Sequence, residues 1–372
     1  MSSLRIRYRL RLAAGDDPER RAAHLAREQT IEIAEGAAAP EVEARAIGRV
    51  GSVAPTGDGR FAVAIDYPLA AVGGDLLQLL NVLWGNVSLQ SGVRVDGVEW
   101  PAELLGEFPG PAFGVAGLRE LCRAHGRPLT ATALKPLGLP VRELARRAAA
   151  CALGGIDVVK DDHGLTDQEW APFRERVLVV HDLVERANRA SGGACVYAPN
   201  LTGPVDRLAE RLETLAEAGV RAALVAPMLV GLDALRSLAA SSGVALVAHP
   251  AFAGSLAGGE HGLAPELLFG DLFRLAGADA VVFPNAGGRF PWSYDDCRSI
   301  AHRLGAPLGG LRPSFLMLGG GVDRAKLAEW IPRYGEDTIW LVGGSLYARA
   351  DLERAAREMA ETVAVTPAGR QA

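Results

Sequence analysis

Apolar positions along the chain follow two rhythms. Near the N-terminus they alternate with basic residues: Leu4, Ile6, Tyr8 and Leu10 against Arg5, Arg7, Arg9 and Arg11. A period of two is that of a half-buried strand, here Leu4 to Leu12, and the stretch has no uninterrupted apolar core of a signal peptide. Asp16 to Glu28 reads as a helix started by Asp-Asp-Pro. Ala46–Val50 and Arg60–Tyr67 are strand candidates around a Pro/Gly/Asp turn, Gly74–Trp84 an apolar helix, and Val93–Val98 a further strand. Phe108-Pro109-Gly110-Pro111 is a linker signal. Residues 1–110 are therefore expected to form a small α+β domain.

From Arg127 onward short apolar runs alternate with amphipathic segments. The runs fall at Leu129–Lys135, Ile156–Lys160, Ala194–Ala198, Ala222–Ala226, Val244–Ala248, Ala280–Phe283, Ser314–Leu318 and Thr338–Val342. Helical periodicity marks Val141–Leu153, Pro172–Ala190, Asp206–Ala218, Asp323–Tyr334 and Asp351–Val363. Eight such units predict an α/β fold, a (β/α)8 TIM barrel over residues 111–372 entered through a bridging helix at 114–125. No Gly-x-Gly-x-x-Gly follows the first run, which argues against a dinucleotide-binding sheet. The tail Thr366–Ala372 is expected to fray.

The length of 372 residues fits a barrel of about 250 residues plus a smaller partner. A hydrophobic share of 49% supplies ample core, and a net charge of -5 gives no basic footprint for nucleic acid. No stretch approaches the roughly 20 apolar residues of a membrane span. Cys122, Cys151, Cys195 and Cys297 lie far apart, as reduced thiols of a cytoplasmic protein do. Glycine, 44 of 372 residues, shows no fixed period and suits tight turns and close approach to a ligand.

The chemistry gathers at the strand ends, which a barrel brings to one rim. Strand one ends in Lys135-Pro136 and strand two in Lys160-Asp161-Asp162-His163. Strand three ends in Asn200 and strand five in His249. Strand six ends in Asn285, strand seven in Gly319-Gly320-Gly321, and strand eight in Gly343-Gly344. Asp162 and His163 are of the kind that holds a divalent ion. Lys135 can serve as a base only if its pKa falls well below about 10.4. Glycine turns after strands seven and eight suit a substrate phosphate, since backbone N–H groups face the anion there; each alone is also an ordinary βα turn. His249 reads equally as a core histidine, and Asn200 and Asn285 equally as loop caps.

These motifs resemble the RuBisCO large subunit. Gly110-Pro111-Ala112-Phe113-Gly114 and Arg127 through Leu139 are similar to its GPPHG and RPLLGTIIKPKLGL segments, and Gly154 through Asp162 to its GGLDFTKDDE. Asn86 in Trp84-Gly85-Asn86 resembles its FGN segment, Glu28 its AAESST segment, and Tyr197–Thr202, His249 and the glycine runs its later motifs. The resemblance implies an N-terminal α+β domain on a TIM barrel, in a homodimer whose subunits share each active site. It implies that Lys160 becomes carbamylated to bind Mg²⁺, with Asp162 as second ligand and His163 where the family has a glutamate. It gives Lys135 the enolisable proton, brings Glu28 and Asn86 from the neighbouring subunit, and puts a sugar phosphate on the glycine runs.

Three departures separate the chain from CO₂ fixation. Leu137 replaces the second lysine of KPKLGL. The mobile loop after strand six, Gly287–Ser293, lacks its lysine, and Pro250 follows His249 where a bisphosphate clamp has arginine. The chain thus resembles RuBisCO-like proteins (form IV), keeping enolisation alone. The reading implied is an isomerase of 5-methylthioribulose 1-phosphate in sulfur salvage. Its alternatives are a decarboxylase of a 3-oxo sugar acid phosphate, an enolase of a diketo-methylthio-sugar phosphate, and a non-catalytic sugar-phosphate binder.

Overall fold

In the computed structural model, which describes residues 2–369, the N-terminal alternation becomes the strand Ser3–Arg11, buried at every second residue. Residues 370–372, part of the tail expected to fray, lie outside the described residues. The strand pairs antiparallel with Arg60–Pro68 on one side and Val93–Glu99 on the other. Leu4, Ile6, Tyr8 and Leu10 form its buried face, while Arg5 on the opposite face pairs with Asp66 at 2.7 Å. Helix Pro18–Glu28 starts where expected, because the Asp17 carboxylate accepts the amides of Glu19 and Arg20. Asp75 caps Leu76–Trp84 in the same way. The strand expected at 46–50 begins only at Arg49 and runs to Gly57, since Pro40 starts a helix through Ala46.

The expected domain boundary needs a correction. The first unit ends at Phe108, but Phe252–Leu272 and Pro307–Leu311 fold with it. Gly262–Leu263 adds a short parallel strand beside Arg94 and Val95, at the edge of this sheet. Backbone pairing of that kind carries no side-chain signature along the chain.

The second unit holds eight parallel strands at Leu129–Leu134, Val158–Asp161, Val196–Ala198, Ala222–Val225, Ala245–Ala248, Ala280–Pro284, Phe315–Gly319 and Thr338–Val342. All of the apolar runs read from the sequence are there. Consecutive strands pair in parallel, strand eight pairs with strand one, and a bridge between Asn200 and Leu224 joins strands three and four to close the barrel. The core draws on every strand: Ala131, Val158, Ala198, Leu224, Val247, Val282, Met317 and Ile339 pack together. Each fully buried Val, Leu, Ile or Met side chain contributes about 1.5–3 kcal/mol. Val115, Leu118 and Cys122 of helix Gly114–Cys122 join the same cluster. That helix ends three residues earlier than expected because Arg123 turns left-handed, with φ 48°.

At the N-terminal ends of the strands, two buried carboxylates are saturated by the protein itself. Asp157 accepts from both terminal nitrogens of Arg127, at 2.8 and 2.7 Å, and from the Thr130 amide and hydroxyl at 2.7 and 2.9 Å. Asp279 accepts three backbone amides, from Phe113, Gly114 and Leu246. Among the described residues no helix is long and apolar enough to cross a membrane, and all four cysteines are free and buried.

Candidate active site

Strand two positions the central groups through its two-residue period. Val158 packs in the barrel core, so Lys160 and Asp162 share its side of the strand, while Val159 and Asp161 face the surrounding helices. Lys160 is 1% exposed, and among the described residues its amine donates only to the Asp161 carbonyl, at 3.0 Å. Burial pushes this amine down to about 8, although Asp162 opposes the shift.

Strand one delivers Lys135 to the same place. Its Nζ lies 2.8 Å from Asp162 Oδ2, and His163 Nδ1 lies 3.2 Å from Asp162 Oδ1. Burial works against the Asp162 charge, yet the bonds from His163 and Lys135 hold its carboxyl well below the usual range. His249, from the end of strand five, stacks on His163 with ring centroids 4.3 Å apart and planes 11° from parallel. His249 Nδ1 accepts the Ala251 amide at 3.1 Å, which leaves the proton of the neutral ring on Nε2. Burial, with Lys160 nearby, pushes this imidazole down to about 2. Lys135, Lys160, Asp162, His163 and His249 thus form one cluster.

The other side of strand two carries a network that sequence reasoning missed. Asp161 and Arg176 are fully buried and joined at 3.0 Å. The Tyr197 hydroxyl donates to Asp161 at 2.8 Å and the Asn200 amide N–H at 2.9 Å. Arg176 spends its remaining donors on the carbonyls of Ala171 and Thr166. Asp161 is therefore held as a structural anion and cannot reach the inner cluster. A signal was present: Arg176 sits among Phe173, Val177 and Val180 on the apolar stripe of its helix, where an arginine needs a buried acid.

Asn200 belongs with this framework. It is fully buried, and its amide hydrogens go to the carbonyls of His163 and Leu165, both at 2.9 Å. Of the two roles open to it, the geometry gives the loop-fixing one, and no N–H is left for a substrate. Asn285 is 1% exposed; its Oδ1 accepts from Tyr334 at 2.9 Å, and among the described residues its Nδ2 has no hydrogen-bond partner.

The glycine turns sit at the ends of strands seven and eight. Gly320 and Gly321 have φ of 78° and 121°, which a side chain would strain. A Cβ on Gly321 would meet the Gly288 Cα at 3.1 Å, and the Arg289 amide donates to the Gly320 carbonyl. The loops after strands six and seven thus interlock through glycine. Gly343 is the closest to the cluster: a Cβ there would lie 3.9 Å from Lys135 Cε. Gly344 is exposed and opens a short helix with no side-chain cap. Gly319 is buried in its strand. In the first unit, Asn86 Nδ2 donates to Glu28 Oε1 at 3.3 Å.

Comparisons with known proteins identify the family. The family described as ribulose bisphosphate carboxylase large chain, catalytic domain, matches residues 114–290. The chain is 41% identical to the 5-methylthioribulose-1-phosphate isomerase of Rhodospirillum rubrum over 94% of its own length and 92% of that protein's. It is 34% identical to the 2,3-diketo-5-methylthiopentyl-1-phosphate enolase of Geobacillus kaustophilus, over 78% and 72% of the two chains. The crystal structure of a Rubisco-like protein from Rhodopseudomonas palustris superposes with a TM-score of 0.90, at 39% identity and 98% of both chains. With fold and sequence shared along nearly its whole length, the chain belongs to the RuBisCO large-chain family, among its RuBisCO-like proteins.

Proposed function

We propose that this protein catalyses enolisation of a singly phosphorylated ketose and isomerises 5-methylthioribulose 1-phosphate. The observation that carries the reading is the meeting of Lys135, Asp162 and buried Lys160 at adjoining strand ends. The identity to the Rhodospirillum rubrum isomerase supports the substrate. The enolase relative favours a second reading, since proton abstraction beside a carbonyl is common to both reactions.

Lys135 takes the proton from the carbon beside the ketone, and the electron pair moves to the ketone oxygen. Protonation of the former ketone carbon and its oxygen, as the hydroxyl on the deprotonated carbon gives up its proton and becomes the new carbonyl, completes the isomerisation. The Gly343-Gly344 turn, beside Lys135, offers backbone N–H groups to the phosphate, with Gly319–Gly321 at the end of the adjoining strand. Pro250 after His249 matches a substrate with one phosphate.

The residues present fit a magnesium ion on one condition. Among the described residues no three His, Cys, Asp or Glu side chains group as a metal site. Asp162 and His163 therefore need an oxygen donor from Lys160, and a carbamate supplies it. Burial lowers the Lys160 amine to about 8, which raises the share of the neutral form that adds CO₂. Mg²⁺ held by Asp162, His163 and carbamylated Lys160 would polarise the ketone as a Lewis acid.

A homodimer belongs to this reading, with Glu28 and Asn86 completing the partner's site. A cytoplasmic location accords with the four free cysteines. The test of function is turnover of the two thio-sugar phosphates, followed by NMR with Mg²⁺ and bicarbonate and again with chelator. A rearranged ketose phosphate from the methylthioribulose ester, lost with chelator, supports the isomerase. Turnover of the diketo ester alone selects the enolase, and CO₂ release from a 3-oxo sugar acid phosphate alone overturns both.

A further inference from the structure

A cleft of about 410 Å³ opens outside the barrel wall near the N-terminal end of strand three. Its lining includes Arg123, His181, Glu185, Arg189, Tyr197 and Arg221. Strand direction separates it from the rim described above: Arg221 directly precedes strand four, and Lys135 follows strand one. The three arginines come from three separate elements. Arg123 follows the helix Gly114–Cys122, Arg189 lies in the last turn of Phe173–Ser191, and Arg221 enters strand four.

Their state contrasts with the other arginines of this end. Arg127 is bound by Asp157, and Arg119 by Asp337 and three carbonyls. Among the described residues the side chains of Arg123, Arg189 and Arg221 make no ion pair or hydrogen bond. His181 also lines the cleft, and among the described residues its buried Nδ1 has no hydrogen-bond partner. Glu185 is the one acid in the lining, and it faces the Asn188 amide at 3.4 Å. Each arginine also lies near a helix C-terminus, where one cation is favoured. That effect acts helix by helix and does not require three cations around one concavity.

We propose that this cleft binds a small polyanion, a phosphate ester, gripped by Arg123, Arg189 and Arg221, with His181 in its wall. Guanidinium groups present paired N–H donors that match phosphate oxygens, and several together neutralise a doubly charged ester. The cavity falls within the range of about 300–1,000 Å³ typical of small-molecule sites. Three charges of one sign lining one recess also raise the local concentration of anions, in a protein whose net charge is -5.

The test is calorimetric titration of the intact protein with inorganic pyrophosphate in metal-free buffer. Wild type is compared with Arg189→Ala/Arg221→Ala and with a charge-matched control, Arg20→Ala/Arg142→Ala. The site predicts an equivalent in wild type and control that weakens at least tenfold in the first variant, while any binding at the glycine turns persists in all three. The His181 ring nitrogen signal should shift with pyrophosphate in wild type and stay fixed in Arg189→Ala/Arg221→Ala, with basal turnover unchanged. Equal stoichiometry and affinity in all three proteins, or a His181 signal that never moves, overturns the proposal.

Discussion

Asp157 and Asp162 stand at opposite ends of the same barrel strand region and meet different fates. Asp157, its side chain 5% exposed, takes four hydrogen bonds from Arg127 and Thr130. Asp162 is held by Lys135 and His163, whose side chains are 35% and 49% exposed. The first is an anion fully enclosed by its own protein. The second is held by groups that can turn to a ligand, beside a lysine whose amine has one neighbouring carbonyl as partner. Saturation marks structure, and incomplete saturation in a concave place marks chemistry. Arg123, Arg189 and Arg221, exposed around one recess, contrast with Arg127 and Arg119 of the same end, which the protein itself pairs.

The largest effect that separates the two ends is on turnover. Lys135→Ala should lower turnover by about 10²–10⁴-fold, the range for a positioned acid–base group, with the melting temperature held within a few degrees. Asp157→Ala should do the reverse. Stranding the partly buried Arg127 costs about 3–5 kcal/mol in denaturant unfolding, while turnover per folded molecule is kept. Equal losses of stability in the two variants would erase the contrast.

A smaller effect is expected from the Asp161 network behind the site. Tyr197→Phe removes one bond to a buried carboxylate, worth about 1.5–3 kcal/mol of stability. Because Asp161 fixes the strand that carries Lys160 and Asp162, this variant should also need more Mg²⁺ for half-maximal activity. An unchanged Mg²⁺ requirement would confine Tyr197 to stability.

The smallest effect is a pH slope. His249 has a folded pKa of about 2 against an ordinary 6.5, so between those values the unfolded chain binds more protons. Stability is then complete above about pH 6.5 and falls as the solution is acidified, by up to about 1.4 kcal/mol per pH unit. His249→Asn should flatten the stability profile between pH 6.5 and 5. A slope identical to wild type would show that the imidazole is not kept neutral.

Much of the barrel was legible because buried parallel strands read as unbroken apolar runs; Thr338–Val342 appears in the structure with the bounds read from the sequence. Strand parity likewise makes the pairing of Lys160 with Asp162 readable. The edge strand Gly262–Leu263 was not legible, because it joins its sheet through backbone pairing with residues 168 positions away. Asn200 illustrates a different limit. Its type suits a substrate or a carbonyl equally well, and only the fold shows His163 and Leu165 taking its hydrogens. Asp161 and Asp162 are adjacent and chemically alike, and the period of the strand decides which of them meets Arg176.

The central claim is that the C-terminal rim moves a proton and that Lys135 is the group that moves it. The direct measurement is proton NMR of 5-methylthioribulose 1-phosphate with the Mg²⁺- and bicarbonate-treated protein in D₂O, for wild type and Lys135→Ala. The account predicts loss of the carbon-bound proton signal or a rearranged ester with wild type, and neither with Lys135→Ala. Undiminished exchange by Lys135→Ala, or none by a wild-type protein shown to bind Mg²⁺, would contradict it.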